Sequence, residues 1–139
     1  MYLFDTDILS QIAKKRRPEA LMSRLANTPL ASQFTSAVNA AELYYGIFRT
    51  KGRESLPRFF EEQVFPRLTI LPFDGESALI YGRLKAAVER SGRPRFEPDL
   101  QIAAIALRHR LTIVTGNVRH FAGIPGLKVE DWLLIGEKT

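Results

Sequence analysis

Short apolar runs alternate with longer amphipathic stretches along most of this chain. Tyr2-Leu3-Phe4 is apolar and stops at Asp5-Thr6-Asp7, the pattern of a buried strand that ends at a helix cap. Ile8 to Lys15 then reads as a helix, and Pro18 suits the first turn of a second one through about Ala26. Leu30 to Phe34 is an expected second strand. Thr35 and Ser36 are cap residues for a helix from Ala37 to about Arg49, with Gly52 as its stop. A helix over Leu56 to Val64 closes at Pro66, and a strand follows over Leu68 to Leu71. Asp74 is placed to cap a helix to Arg90, which the turn Ser91-Gly92-Arg93-Pro94 ends. Pro98 opens a helix to about Arg108, Leu111 to Val114 is a β-branched strand, and Leu127 to Val129 is a last short one. Strands that alternate with helices predict an α/β fold with a mostly parallel sheet covered on both faces. With no repeat and no linker, residues 1–139 are expected to form one domain.

Composition narrows the chemistry. The 139 residues include no cysteine, which excludes disulfides, thiolate metal sites and a cysteine nucleophile, and fits a reducing cytoplasm. A carboxylate follows only three apolar residues after Met1, and no apolar run approaches the ~20 residues of a membrane span, so a cytoplasmic protein without a membrane role is expected. The net charge of +5 suits a polyanionic partner such as nucleic acid, or an acidic protein.

Three carboxylates stand out by position. Asp5 ends the first strand, where open α/β sheets bind ligands; Asp7 beside it is either a helix cap or a further acid of the site. Glu42 lies in Ala40-Ala41-Glu42-Leu43-Tyr44-Tyr45-Gly46-Ile47, where small and apolar neighbours imply a packed helix face. Asp99 opens a helix that is apolar almost all round, Leu100 to Leu107, and either complements the helix dipole or joins Asp5 at the sheet edge. Two bare charges ~4 Å apart repel by about 4 kcal/mol at an effective dielectric of ~20. Convergence of these acids therefore calls for a hard cation such as Mg²⁺ or Mn²⁺.

These segments, taken in order, resemble the PIN-domain family. The resemblance rests on Tyr2-Leu3-Phe4-Asp5-Thr6-Asp7, on Ala40-Ala41-Glu42-Leu43 with Gly46-Ile47, on Asp99-Leu100-Gln101-Ile102-Ala103-Ala104, and on Leu111-Thr112-Ile113-Val114-Thr115. The tail from Asn117-Val118-Arg119-His120-Phe121 through Ile124-Pro125-Gly126-Leu127 to Trp132 is similar to that of VapC toxins. The resemblance implies a three-layer α/β/α fold and a Mg²⁺- or Mn²⁺-dependent endoribonuclease that hydrolyses RNA phosphodiesters with a metal-activated water. It also implies a type II toxin, a cognate VapB-type antitoxin that inhibits it, a homodimer, and tRNA or ribosomal RNA as substrate.

Carried over by position, Asp5, Glu42 and Asp99 match the metal-holding acids, and Thr6 and Thr115 the supporting hydroxyls. The family commonly has a further Asp in the loop after the fourth strand, where this chain has Asn117 and His120. Asn117 is the expected substitute, either ligating through its carbonyl oxygen or orienting a metal-bound water, and one tightly held ion is expected, with any second depending on substrate phosphate. Glu97 is a candidate source of the missing charge. Arg93 and Arg95 are candidates for gripping RNA phosphate, as are Lys14-Lys15-Arg16-Arg17, Arg49-Thr50-Lys51-Gly52-Arg53 and Arg108-His109-Arg110. Tyr44, Tyr45 and Phe48 share a helical spacing that suits a core or a dimer contact.

Three alternatives remain. A PIN-like protein that binds RNA or a partner but cuts weakly would follow from the missing acid. A haloacid-dehalogenase-type phosphatase shares the strand-end Asp-x-Asp, although nothing after Val114 supplies its paired acids. A phospho-acceptor receiver module gives Glu42 no role.

Overall fold

The computed structural model describes residues 1–92 and 97–134. Five strands form one sheet in the order β3-β2-β1-β4-β5, and each neighbouring pair is parallel. They are β1 (Tyr2–Phe4), β2 (Gln33–Ser36), β3 (Thr69–Leu71), β4 (Thr112–Val114) and β5 (Val129–Glu130). The helices are α1 (Thr6–Ile12), α2 (Glu19–Ala26), α3 (Ala37–Phe48), α4 (Leu56–Phe59), α5 (Gly75–Arg90) and α6 (Glu97–His109).

β1 lies at the centre, and its alternating side chains feed two separate cores. Leu3 packs on one face with Ile102, Ile105 and Ala106 of α6, and with Tyr81 and Leu84 of α5. Phe4 packs on the other face with Ile8 and Leu9 of α1, Leu21 of α2, and Leu43 and Ile47 of α3. Leu3 and Phe4 are both fully buried. The expected three-layer α/β/α arrangement is therefore present, with every observed pairing parallel.

Several local expectations shift. Leu30–Ser32 forms a single 3₁₀ turn after Pro29, and the second strand begins only at Gln33. Thr35 caps no helix; it lies in β2, buried, and its hydroxyl donates to the Phe4 carbonyl at 2.8 Å. Ser36 alone caps α3, accepting from the Asn39 N–H. The helix expected over Leu56 to Val64 widens to a π-turn at Phe60–Val64, which puts Phe60 and Val64 together in the core before Phe65–Arg67 tightens to 3₁₀ geometry. Gly126, at φ +79°, turns the chain into β5 two residues later than expected.

The strand order positions the site. After β1, the chain steps through β2 to β3 on one side, then crosses back to β4 on the other. The carboxyl ends of β1 and β4 thus flank a topological switch point, where α/β sheets place their ligands. Asp5 follows β1 there and Thr115 follows β4, and the Asp5 N–H donates to the Val114 carbonyl at 2.9 Å. Because α6 runs into antiparallel return as β4, its first turn, with Asp99, overhangs the same edge.

Candidate metal and catalytic centre

Asp5 is the hub of the polar groups at this edge. It is the N-cap of α1, with only 7% of its surface exposed. Its Oδ1 accepts from the Thr6 N–H and from Asn39 Nδ2, both at 2.9 Å. Its Oδ2 accepts from the Thr115 hydroxyl at 2.8 Å. A buried carboxylate held on both oxygens by donors is fixed in direction.

Thr6 carries the arrangement to the second acid. Its hydroxyl donates to Glu42 Oε1 at 3.0 Å and accepts from Asn39 Nδ2 at 3.1 Å. Burial lifts the Glu42 carboxyl above its ordinary value, the Thr6 hydrogen bond pulls it part of the way back, and the negative charge of Asp5 raises it further. Asp99 is buried in the first turn of α6, at 8% exposure. It approaches the post-β4 loop through His120 Nδ1, 3.5 Å from its Oδ2. The sequence-predicted hydroxyls Thr6 and Thr115 thus both touch the carboxylates.

Asp7 does not cap α1, because Asp5 already does. Instead its Oδ2 accepts from the Gly116 N–H at 2.8 Å and from Asn117 Nδ2 at 3.2 Å, tying α1 to the loop after β4. The Asn117 N–H donates in turn to Thr115 Oγ1. Burial and then the Asp5 charge raise the Asp7 carboxyl, against the lowering effect of hydrogen bonds from the Gly116 and Ile8 N–H groups and Thr115. Where the sequence lacks an acid in this loop, an acid from α1 reaches into it. Asn39 is the other residue that sequence patterning missed. It is fully buried, and its only advance signal is a polar side chain one helical turn before Glu42.

Other expectations are redirected. Glu97 points to α5, where Lys85 Nζ lies 3.3 Å from its carboxylate. Arg108 is taken by Asp74 at 3.3 Å and Glu76 at 3.2 Å, so it is a fold contact rather than a phosphate grip. Lys14 to Arg17 and Lys51 to Arg53 are exposed, while the Arg49 guanidinium lies over the Tyr45 ring. Tyr44 stacks on Phe48, but Tyr45 and Phe48 are exposed and belong to no core. Arg93 and Arg95 lie outside the described residues.

The donor set suits a hard divalent cation: carboxylates and hydroxyls, with Asp7 and Glu42 both raised by burial and further by Asp5. Among the described residues, no group of three or more His, Cys, Asp or Glu side chains is already gathered in a metal-holding arrangement. Mutual repulsion favours that separation for bare acids.

Two predictions arise here. A carboxyl whose folded pKa is raised holds its proton longer in the folded chain than in the unfolded one. Its ionisation therefore costs stability as pH rises from the ordinary value of about 4 through the raised one. Thermal unfolding of metal-free protein is expected to favour Asp7→Asn over wild type increasingly as pH rises through that window, with the advantage gone below it. Gly116 is constrained by space. A Cβ there would stand 2.8 Å from Asp7 Oδ2 and 2.8 Å from Leu133 Cδ1. Gly116→Ala is expected to displace the Asp7 clamp and to cost about 1–3 kcal/mol in denaturant unfolding.

Residues 2–127 match the PIN domain family. The chain is 33% identical over 132 residues to ribonuclease VapC2 of Haemophilus influenzae, covering 95% of this chain and 98% of that protein. It is 32% identical over 118 residues to the tRNA(fMet)-specific endonuclease VapC of Salmonella typhimurium, covering 85% and 88%. Its fold is similar to the crystal structure of VapBC2 from Rickettsia felis bound to a promoter DNA fragment, with a TM-score of 0.81, 29% identity and coverage of 94% and 98%. These likenesses leave no place for a dehalogenase-type phosphatase or a receiver module. The chain belongs to the PIN-domain family, among the VapC ribonuclease toxins.

Proposed function

We propose that the whole chain, 1–139, works as one PIN domain that cuts RNA internally with Mg²⁺ or Mn²⁺ held by Asp5, Glu42 and Asp99. The carrying observation is the buried Asp5 carboxylate at the switch point, fixed on both oxygens and linked through Thr6 to Glu42. A divalent ion bound there supplies Lewis acidity toward a phosphodiester. Asp5, Glu42 and Asp99 would hold that ion through their carboxylate oxygens. Thr6 and Thr115 hold the carboxylates in direction. Asn117, anchored to Asp7 through its amide N–H₂, leaves its carbonyl oxygen to orient water or substrate. Arg93, Arg95 and the exposed Lys14 to Arg17 supply sequence-independent phosphate contacts.

The relatives direct the biology. The solved relative from Rickettsia felis is a VapBC pair, so the partner of this chain is a VapB-type antitoxin that inhibits it. The exposed Tyr45 and Phe48 on α3 suit the contact of a homodimer. The Salmonella relative's specificity makes tRNA the first substrate to test, with ribosomal RNA second. No helix among the described residues is long and apolar enough to cross a membrane, and the site of action is the cytoplasm.

The test is cleavage of total cellular RNA by antitoxin-free protein with Mg²⁺, Mn²⁺ or EDTA. Discrete fragments that need metal, with ends that sequencing maps to tRNA or ribosomal RNA, are the expected result. Salt-sensitive RNA binding without cleavage, from folded protein, would instead favour a PIN-like binder that has lost its chemistry.

A further inference from the structure

We infer that Asn39 is a positioning residue: one buried amide that fixes Asp5 directly and Glu42 through Thr6. The inference rests on the proposed metal site and goes beyond it, since it concerns what aims the ligands rather than which they are.

Asn39 lies one helical turn before Glu42 on α3, with none of its surface exposed. Its amide orientation is settled by its surroundings. Asp5 Oδ1 acts as an acceptor here, taking the Thr6 N–H as well, so the Asn39 atom 2.9 Å from it is the N–H₂ group. The opposite end, Oδ1, then receives the Ser36 hydroxyl at 2.6 Å, while the Asn39 N–H donates back to Ser36 Oγ at 3.0 Å. Ser36 is the N-cap of α3, so the amide is anchored to the point where β2 becomes helix.

The second amide hydrogen determines the rest of the chain of bonds. It reaches Thr6 Oγ1 at 3.1 Å. A hydroxyl has a single hydrogen, and because Thr6 accepts from Asn39, that hydrogen is directed to Glu42 Oε1 at 3.0 Å. The order Ser36 to Asn39 to Thr6 to Glu42 therefore has one direction, with every step a donation toward the carboxylate. Only a side chain that presents two hydrogens at this point can serve Asp5 and Thr6 together. An Asp at position 39 has the same shape and presents none when ionised. Partners that orient metal ligands in this manner typically change metal affinity or activity by about 10–100-fold when removed.

The experiment is Mn²⁺ titration by calorimetry on antitoxin-free, RNA-free protein, with kcat and KM measured on one defined RNA. Asn39→Asp and Asn39→Ala are compared with wild type, with Asp5→Asn, and with Thr35→Val. Thr35 is buried in β2 and bonds only a backbone carbonyl, so its replacement lowers stability without touching the carboxylates. Expected are Mn²⁺ affinity weakened about 10–100-fold in folded Asn39 variants, kcat lowered with KM unchanged, and Mn²⁺ affinity within about twofold of wild type in Thr35→Val. Should neither Asn39 variant fold, Ser36→Ala, which releases the far end of the amide, carries the same expectation at smaller size.

Asn39 variants that bind Mn²⁺ within about twofold of wild type would overturn the inference and leave the metal site standing. An equal loss in Thr35→Val would overturn it too, by making the effect one of general stability. Wild-type protein that binds no Mn²⁺, or Asp5→Asn that binds it as well as wild type, would overturn the proposed site and the inference with it.

Discussion

Asp5→Asn is expected to lower RNA cleavage by about 10²–10³-fold or more while the fold persists. Asn keeps the shape and one carbonyl oxygen, which can still accept from the Thr6 N–H and Asn39 Nδ2. What it loses is the negative charge at the centre of the edge, the charge that adds to burial in raising both Asp7 and Glu42. Metal-free protein therefore does not lose the electrostatic support that an ordinary ion-pair deletion removes; repulsion among the acids is relieved instead. The Thr115 hydroxyl gives up Asp5 Oδ2 at 2.8 Å and has Asp7 Oδ1 at 3.4 Å as its next acceptor. The checking measurement pairs single-turnover cleavage with thermal unfolding. A loss of activity accompanied by a matching collapse of the fold would contradict the assignment of Asp5 to chemistry.

The second large effect concerns stability. Trp132 is 2% exposed and lies after β5, beyond the residues that match the family. It meets Tyr2 edge-on at 4.8 Å and Phe4 at 5.5 Å, while the Arg24 guanidinium covers its ring at 4.5 Å. Its Nε1–H donates to Glu130 at 2.9 Å, and Glu130 also pairs with Arg24 at 3.1 Å. The indole thus closes the core beneath β1 and staples the segment just after β5 to α2. Trp132→Ala leaves a large cavity against Phe4 and strands the Glu130 contact, at a cost of about 3–5 kcal/mol. For a chain of this size, that corresponds to a drop in Tm on the order of 10–20 °C, read by circular dichroism. A drop of only a few degrees would mean that the segment after β5 packs independently of the sheet.

The elements were legible where periodicity and caps agreed. Ser36 and Asp74 cap their helices as their types suggest, and β1 and β4 fall where short apolar runs meet a polar stop. Leu30 to Phe34 misled because its apolar residues carry no β-specific pattern, and Pro29 instead starts a 3₁₀ turn. Within the candidate site, Asp5 was legible as an acid at a strand end and Glu42 as an acid among small apolar helix neighbours, while Thr6 and Thr115 came from the family resemblance. Asn39 and the reach of Asp7 to Gly116 were not legible. Both depend on contacts between residues 34 and 109 positions apart, which exist only once β1, α3 and β4 are assembled. Glu97 and Arg108 show the converse: each sits near the right place in sequence, and each is turned to α5 by an opposite charge.

The most direct test of the proposed centre is diffraction at the manganese absorption edge from crystals of the antitoxin-free protein soaked in Mn²⁺. The account predicts an anomalous peak bound by carboxylate oxygens of Asp5, Glu42 and Asp99, and its loss in Asp99→Asn. A peak elsewhere, or no peak in crystals of protein that still cuts RNA with Mn²⁺, would contradict it.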